Sequence, residues 1–386
     1  MPETSINIVH FNNGSGGGVL SVIRNLLRFS ENEKIGNHVI FTINKKLHPH
    51  FEIPTMPGAK SVQIFYYSPD WNFYYTCKHL AKLLPGDKAI VVAHDWLELG
   101  MMSNLGLQNP CVFFLHGDYD YYYDLAKKHE KSIDLFFTVA QSMEEKLKQL
   151  LPQRISTIYY LRFPVPVIPF SEKKKKGHLI FIGRQEEAKG YFLLPLIDKK
   201  LKESNELVYW HIVGSSNDPN LSQSLWHNCE NVTFYGHLSN EKVVELLADM
   251  QVIILPSLAE GMPVVIIEAM KAGVIPIVND IDGGTRELVI ENETGYKVKS
   301  NEVTGYVEKI IKIITNNELA KKMQQNAVVL ANQLFEPIHN TKLIEEKIIE
   351  LSNKVRTKKA AFKIYGSRLD QKWLGNRFTQ IIRQKK

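Results

Sequence analysis

The segment 255–270, LPSLAEGMPVVIIEAM, carries two glutamates in an otherwise apolar stretch, with seven residues between Glu260 and Glu268. It is typical of a buried strand, a turn that carries Glu260, and a helix that begins near Pro263. Carboxylates are costly to bury unless donors bond to them, and the hydroxyls of a sugar or a ribose are suitable donors. Free N–H groups at the start of the helix could bind a diphosphate. The alternative is that Glu260 caps the helix and Glu268 lies at the surface.

Two cations follow an earlier strand-like run, residues 179–182. Arg184 comes directly after Gly183, and Lys189 comes directly before Gly190. A diphosphate that departs from a sugar gains negative charge, which a guanidinium and an ammonium can neutralise without a metal. Their position at a strand end beside glycines favours this role over that of two solvated surface cations.

A glycine-rich loop, residues 12–18 with the sequence NNGSGGG, follows the first strand-like run and leads into a helix near Val19. Glycines such as Gly16 and Gly17 let backbone N–H groups approach a phosphate or a sugar, and the helix N-terminus adds favourable partial charge. The spacing differs from the GxGxxG pattern of dinucleotide sites. A tight strand-to-helix turn is the structural alternative. A nicotinamide-dependent oxidoreductase is the functional alternative, but it leaves the paired glutamates and the two cations without a role.

Two histidines, His94 and His116, each stand directly after a strand-like run. If those strands are parallel, both side chains lie at the same edge of the sheet, where imidazole can donate to a sugar hydroxyl. A purely structural histidine is the alternative for His94, whereas Gly117 after His116 favours function.

Two acidic pairs, Asp118 with Asp120 and Asp280 with Asp282, superficially match a DxD metal-binding pattern. Two acids and a spacer occur often by chance, so we predict no metal site at either position.

The rest of the chain supplies a series of strand-length apolar runs that are rich in β-branched and aromatic residues. Because these runs are nearly continuous in hydrophobicity, they indicate a parallel sheet that is covered on both faces. They lie at 6–11, 38–43, 62–67, 89–93, 111–115 and 135–140, and again at 179–182, 208–213, 232–235, 252–255 and 274–278. Helical spacing occurs at 19–29 and 142–151. The sequence therefore predicts an α/β fold of two Rossmann-like doubly wound domains that face each other across a cleft.

The two series are separated by residues 162–177, RFPVPVIPFSEKKKKG, in which three closely spaced prolines exclude a helix. We therefore predict a first domain over 1–165, a linker over 166–177 with solvated lysines, and a second domain over 178–349. The C-terminal segment 350–386 is predicted to pack back on the first domain. The length of 386 residues also favours two domains.

Composition and charge exclude several classes of protein. Hydrophobic residues make up 44% and charged residues 23%, which is ordinary globular composition. Three distant cysteines, Cys77, Cys111 and Cys229, suggest neither a disulfide framework nor a zinc site. The start of the sequence lacks a signal-peptide pattern, and no long apolar run occurs, so we expect a cytoplasmic protein.

The C-terminal tail is strongly basic: residues 354–386 hold eleven Lys or Arg against the single Asp370. Apolar residues such as Trp373, Phe378 and Ile381 alternate with these bases. An amphipathic segment on the inner face of a membrane is one hypothesis, and a helix that packs on the first domain is the other. Since the body of the chain is slightly acidic, no nucleic-acid partner is expected.

With these residues assembled, the chain resembles the GT-B retaining glycosyltransferases, specifically glycosyltransferase family 4 of the group 1 type. The resemblance is densest over residues 179–298, where Glu260 and Glu268 fall in the expected PSxxEGxPxxxxEAM context. Also similar are the element from Gly183 to Gly190 and the strand end at Gly214. One departure is the pair Glu186 and Glu187 between the two cations, which makes the local field less positive.

The resemblance also implies roles for individual residues. Arg184 and Lys189 would hold the donor diphosphate, Glu268 the ribose hydroxyls, and Glu260 the hydroxyls of the donor sugar. His116 would contact that sugar from the first domain. Further donor-binding positions would be Gly16, Gly17, Gly183, Gly214, His237, Gly261, Met262, Pro263 and Val264.

The implied function is transfer of a sugar from a UDP- or GDP-sugar to a saccharide or lipid-linked acceptor, with retention and without a cofactor or metal. Synthesis of cell-surface polysaccharide or a glycoconjugate is the expected context. A catalytically silent nucleotide-sugar-binding protein and a GT-B nucleotide-sugar epimerase are the alternatives. Contact with a membrane surface through the tail is a further expectation.

Overall fold

The computed structural model describes residues 6–216, 218–226, 230–352 and 358–384. Cys229, one of the three cysteines predicted to form neither a disulfide framework nor a zinc site, lies outside these residues. The strands are β1 Ile6–Asn12, β2 Ile35–Asn44, β3 Ser61–Tyr67, β4 Ile90–Ala93, β5 Cys111–Leu115, β6 Leu135–Thr138, β7 Ile158–Tyr160, β8 His178–Ile182, β9 Tyr209–Val213, β10 Val232–Gly236, β11 Val252–Leu255, β12 Ile275–Asn279 and β13 Tyr296–Val298. The α-helices are α1 Gly18–Arg28, α2 Phe73–Ala81, α3 Trp96–Leu105, α4 Asp120–His129, α5 Gln141–Leu150, α6 Leu194–Glu203, α7 Pro219–Ser224, α8 Asn240–Leu247, α9 Val264–Lys271, α10 Thr285–Leu288, α11 Val303–Thr315, α12 Asn317–Leu334, α13 Pro337–Ser352 and α14 Asn376–Gln384.

The chain forms two compact units. Unit 1 consists of Met1–Pro164 together with Pro337–Lys386, and unit 2 is the continuous stretch Val165–Glu336. Unit 1 therefore closes only after the chain has returned from unit 2.

Unit 1 is built on a seven-stranded sheet in the order β3-β2-β1-β4-β5-β6-β7. All of its strand pairs are parallel. The central strands β4 and β5 are buried at every position, as expected for a sheet that has helices on both faces. Cys77 and Cys111 lie in this core as free thiols, and burial raises the pKa of each to about 12.

Unit 2 has a six-stranded parallel sheet in the order β10-β9-β8-β11-β12-β13. In unit 1, β1 pairs with β2 on one side and with β4 on the other. In unit 2, β8 pairs in the same way with β9 and β11. In both sheets the direction in which successive strands are added therefore reverses at the first strand. Ligands in such sheets bind beyond the carboxyl ends of the strands at this reversal. The relevant edges are β1 with β4 in unit 1, and β8 with β11 in unit 2.

The boundaries of unit 2 differ from the expected domain limits. Its end lies at Glu336 rather than at residue 349, because α13 begins at Pro337 and packs on unit 1. In α13, Asn340 Nδ2 donates to Phe163 O at 3.5 Å, and the ammonium of Lys347 lies over the ring of Tyr159.

One lysine of the run after the prolines, Lys174, is not solvated, whereas Lys173, Lys175 and Lys176 are exposed. Lys174 Nζ donates to the carbonyls of Leu247, Ala248 and Ala272 at 2.6–3.1 Å, at the carboxyl ends of α8 and α9. These carbonyls have no partner within their helices, so a cation satisfies them. Burial lowers the pKa of Lys174 to about 8.

The C-terminal strap, defined as residues 358–384, lies along α2 and α3 of unit 1. Lys359 Nζ pairs with Asp134 Oδ2 at 2.7 Å, and Phe362 N donates to Ser103 O at 2.9 Å. Further along, the Tyr365 hydroxyl and His129 Nε2 lie 3.0 Å apart. The part of the strap that the structure describes is therefore held on unit 1 along its length.

Within the described ranges, no helix is both long and apolar enough to cross a bilayer.

Candidate functional site

Strands β8 and β11 are hydrogen-bonded neighbours, so the segments that follow them meet at the carboxyl edge of the unit 2 sheet. The segment after β8 carries Arg184 and Lys189, and the segment after β11 carries Glu260. Helix α9, which bears Glu268, begins directly behind that second segment. The topology therefore brings residues that are far apart in sequence to one place.

Lys189 and Glu260 form the central contact of this edge. Lys189 Nζ lies 2.6 Å from Glu260 Oε1, and the two side chains are only 20% and 10% exposed. An ammonium has three donors, so two of them are left for other acceptors. This shielded ion pair can hold Glu260 in place while Lys189 also meets an anion.

Glycines allow the close backbone approach that this contact needs. Gly190 has a φ of +66°, and a Cβ there would lie 2.0 Å from Pro256 O, at the end of β11. Gly214 has a φ of +123°, and its Cβ would lie 1.9 Å from Gly183 O. Both positions therefore require glycine for two reasons, conformation and space. Gly183 and Gly214 are thereby packed against each other at the ends of β8 and β9.

Glu268 lies on the first turns of α9. The residue is partly exposed, yet burial around its carboxyl raises the pKa to about 7. Its carboxylate forms no ion pair within the described part of the chain. A carboxyl group that is desolvated without a protein partner can accept hydrogen bonds from the hydroxyls of a ligand.

The turn from Gly261 to Pro263 is buried and leads into Val264, the first residue of α9. Gly261 O accepts a hydrogen bond from Gly284 N at 2.5 Å, which fixes the turn against the segment after β12. The side chain of Met262 also packs there, since a Cβ at Gly284 would meet its sulfur at 2.6 Å. The first N–H groups of α9 have no intrahelical acceptor, so this fixed helix start can receive an anion.

Two predicted residues lie further out. The guanidinium of Arg184 is 71% exposed and pairs with Glu186 Oε1 at 3.0 Å, not with either of the paired glutamates. His237 is exposed and follows the edge strand β10. The structure brings Lys189, Glu260 and the start of α9 together, and it leaves Arg184 and His237 at the periphery of that group.

In unit 1, the glycine-rich loop and the histidines lie at the carboxyl edge of their own sheet. Residues of the loop after β1 and of the segment after β4, together with Tyr122, line a small cavity of about 80 Å³. Asn13 Nδ2 donates to Asp95 Oδ2 at 2.8 Å and joins the two segments. A Cβ at Gly16 or Gly17 would meet no atom within 4 Å, so packing explains neither glycine, although the φ of +96° at Gly17 favours glycine there.

Three histidines form a string at this edge. His94 Nδ1 lies 2.7 Å from His116 Nε2, and His94 Nε2 lies 3.4 Å from His10 Nδ1. Burial lowers the pKa of His10 to about 4, that of His116 to about 3, and that of His94 well below its usual value. All three rings are therefore neutral near pH 7, and in each contact one ring nitrogen donates a proton that the other accepts. His10 was not predicted as a site residue, because it lies inside β1 rather than after a strand end.

The acidic pairs are engaged by the protein itself. Asp118 accepts from the Tyr123 hydroxyl at 2.7 Å and from Lys146 Nζ at 2.7 Å. Arg286 bonds to Asp280 and Asp282 at 2.9 and 2.7 Å. Over the described ranges, no group of three His, Cys, Asp or Glu side chains could hold a metal ion. Each of these pairs thus has a structural partner.

Comparison with known families identifies the pattern in unit 2. Residues 168–328 match the family Glycosyl transferases group 1. The group 1 segment lies inside unit 2 and contains Lys189, Glu260 and Glu268. Unit 2 therefore carries the sequence pattern of group 1 glycosyltransferases.

Two curated relatives match over part of the chain. The glycogen synthase of Mycobacterium tuberculosis is 24% identical, over 50% of this chain and 49% of its own length. The Campylobacter jejuni GalNAc-alpha-(1->4)-GalNAc-alpha-(1->3)-diNAcBac-PP-undecaprenol alpha-1,4-N-acetyl-D-galactosaminyltransferase is 28% identical, over 41% of this chain and 44% of its own length. The chain thus spans about half the length of the curated relatives it matches.

A solved structure covers nearly the whole chain. The pneumococcal O-GlcNAc transferase GtfA, in complex with UDP and GlcNAc, superposes with a TM-score of 0.72 at 12% identity, over 90% of this chain and 99% of GtfA. At this identity the likeness shows the fold. The predicted α/β fold with two Rossmann-like domains of the GT-B type is therefore confirmed.

Proposed function

We propose that this chain is a glycosyltransferase that moves a hexose from a UDP- or GDP-sugar to a saccharide or lipid-linked acceptor. The transfer proceeds with retention at the anomeric carbon and without a divalent metal. The single observation that carries the proposal is the shielded contact between Lys189 and Glu260 beside the start of α9, inside the segment that matches group 1 glycosyltransferases. The relatives act in glycogen synthesis and on an undecaprenol-linked saccharide by name, which favours polysaccharide or glycoconjugate synthesis here.

Each residue of the site has a distinct task in this reaction. The free N–H groups at the start of α9 and the two remaining donors of Lys189 bind the diphosphate. Glu260 accepts hydrogen bonds from hydroxyls of the donor sugar, and Glu268 accepts them from the ribose. Arg184, now paired with Glu186, adds positive charge at the outer side of the diphosphate.

The chemical step breaks the bond between the anomeric carbon and the phosphate oxygen. The acceptor hydroxyl forms the new bond on the same face, and its proton passes to the departing phosphate. Negative charge develops on the leaving diphosphate, and Lys189 stabilises that charge most in the transition state. His116, held by His94, is assigned to contact with a hydroxyl of the donor sugar.

Because cations of the protein neutralise the diphosphate, we expect transfer without a divalent metal. A lipid-linked acceptor would place the protein at the cytoplasmic face of a membrane. No nucleic acid takes part.

The test is a thermal-shift screen of UDP- and GDP-sugars on the full chain, followed by product analysis with the donor that stabilises most. We expect stabilisation, transfer to a saccharide or lipid-linked acceptor, and unchanged turnover in EDTA. Stabilisation without any product would support the silent nucleotide-sugar-binding protein instead, and conversion of the donor sugar without acceptor would support the epimerase. A strict requirement for a divalent metal would contradict the role given to Lys189.

A further inference from the structure

Helix α14 exposes two of its three large apolar side chains, while Ile382 is half-buried, and it buries the polar side chain of Thr379. Phe378 and Ile381 are 56% and 54% exposed. Thr379 is fully buried, and its hydroxyl donates to Leu369 O at 3.1 Å. A surface helix that packs through hydrophobic contact has the opposite arrangement. The exposed apolar side chains of α14 therefore do not serve to pack the helix on unit 1.

Trp373, which lies shortly before α14, is a further exposed apolar side chain of the strap. It is 80% exposed, although tryptophan is among the residues that gain most from burial. We term Trp373, Phe378 and Ile381 the outer patch. Exposed large apolar residues that occur together mark surfaces that bind a partner or a membrane.

The outer patch is held by polar bonds beneath it. Asn72 Nδ2 donates to the carbonyls of Leu369, Gln371 and Leu374 at 2.8–3.1 Å. The buried carboxylate of Asp370 accepts from Phe73 N at 2.6 Å and pairs with Arg383 at 2.7 Å. The patch is thus presented in a fixed geometry, which lowers the entropic cost of binding.

Exposed cations lie close to the outer patch in sequence. Arg368, Lys372 and Arg377 are exposed, and none of them forms an ion pair with a residue that the structure describes. Lys372 lies next to Trp373 in the chain, and its ammonium is 5.4 Å from the centre of the Tyr74 ring. Asp370, the acid nearest to them in the strap, is already neutralised by Arg383. The strap therefore exposes large apolar side chains and cations within the same short stretch, residues 368–381.

We propose that the C-terminal strap binds the chain to the surface of an anionic lipid bilayer. The outer patch enters the interface between headgroups and acyl chains, and Arg368, Lys372 and Arg377 contact anionic headgroups. Tryptophan beside bases and aliphatic side chains suits this interface, where one end of the side chain is apolar and the other is wet. This binding requires no transferase activity, so it can be tested independently of the proposed function.

The position of the strap determines which edge of the unit 1 sheet faces the bilayer. Arg383 donates to the carbonyls of Pro69 and Trp71, in the segment that follows β3. That segment lies at the carboxyl edge of the sheet, where the glycine-rich loop and His94 also lie. Lipid binding by the strap thus brings the same edge of unit 1 towards the bilayer.

The test is co-sedimentation of the full chain with phosphatidylcholine vesicles that contain or lack phosphatidylglycerol. We expect binding to the anionic vesicles and much weaker binding to the neutral ones. Phe378→Ser should weaken partitioning about tenfold, and Arg377→Gln about fivefold. Trp373→Phe should keep the binding but abolish the blue shift of tryptophan emission that wild type shows on the vesicles.

Val329→Ser is the matched control, because Val329 is a 65% exposed apolar residue on α12 of unit 2. It should bind vesicles as wild type does. Failure of wild type to bind anionic vesicles would overturn the proposal, and so would unchanged binding by Phe378→Ser. A dimer that Phe378→Ser dissociates would assign the outer patch to a second copy of the chain and would also overturn it.

Discussion

The ammonium of Lys189 and the carboxylate of Glu260 lie 2.6 Å apart and join the segments that follow β8 and β11. The pair lies beyond the carboxyl ends of these two central strands of the parallel sheet, where the strand order reverses. Each partner holds the other in a shielded position, so loss of either leaves an unpaired charge. The two residues should therefore act as one unit in binding and in turnover.

Replacement of either partner tests this unit. Lys189→Ala and Glu260→Ala should each lower turnover about 100-fold or more, and the double variant should be little worse than either single one. Steady-state kinetics with the donor found by thermal shift provide the measurement. Lys175→Ala is the control, because Lys175 forms an exposed pair with Asp249 in the same unit at 2.7 Å. Additive losses in the double variant would show that the two side chains act separately.

The raised pKa of Glu268 predicts a pH-dependent affinity. In the unliganded protein the carboxyl binds its proton up to about pH 7, whereas ribose hydroxyls bind the carboxylate. Affinity for UDP or GDP should therefore rise with pH. One pH unit below this pKa it should be about tenfold weaker than at a pH well above the pKa. Calorimetric titration of wild type and Glu268→Gln across this range checks it. A pH-independent affinity in wild type would contradict the role of Glu268.

The Glu268 carboxyl should give the free energy of unfolding a pH dependence opposite to that of the affinity. Since the folded pKa lies above the unfolded one, the unliganded protein should lose stability as pH rises from the unfolded pKa through about 7. Glu268→Gln should lack this loss in urea unfolding. Equal pH profiles for the two proteins would mean that the carboxyl is not desolvated.

Substitution of two glycines by alanine can distinguish the free-energy cost of an unfavourable φ from the cost of a steric clash. Gly190 and Gly236 have nearly the same φ, +66° and +64°, but only a Cβ at Gly190 would meet the backbone, 2.0 Å from Pro256 O. Gly236→Ala should cost about 1 kcal/mol of unfolding free energy, from conformation alone. Gly190→Ala should cost at least about 3 kcal/mol, since the segments after β8 and β11 must move apart. Denaturant unfolding of both variants measures the difference, and equal losses would refute the close approach.

The histidine string predicts an absence of titration. Because burial lowers the pKa of His10 to about 4 and that of His116 to about 3, the imidazole ¹⁵N shifts of both should stay constant between about pH 5 and 8. His94→Phe should lower turnover and free His116 to exchange its two tautomers. A titration of His116 near its ordinary pKa in wild type would contradict the neutral string.

Strand positions could be predicted because buried parallel strands are continuous apolar runs. The predicted runs 111–115 and 252–255 coincide with β5 and β11 residue for residue. The edge strands β7 and β13 were missed, since three residues each give too short a signal. Lys174 was misread because its partners, the carbonyls at two helix ends, are brought to it only by the fold.

The candidate site could be predicted in composition but not in arrangement. The glutamate spacing and the glycines beside Lys189 identified the strand ends that carry polar groups. The contact between Lys189 and Glu260 depends on the pairing of β8 with β11, which sequence spacing does not contain. The two acids between the cations were noted in the sequence as a reduction of the local positive charge, but the pairing of Arg184 with Glu186 was not predicted.

Unit 2 interrupts unit 1 between Pro164 and Pro337, and this order has a consequence for biosynthesis. The ribosome delivers the whole of unit 2 before the residues that bond to Asn72 and Phe73 have been made. A nascent chain therefore carries a finished second unit and an incomplete first one. A premature stop codon after residue 336 would leave the Asn72 side chain and the backbone N–H of Phe73 without these partners, and quality-control proteases would act on that defect in unit 1.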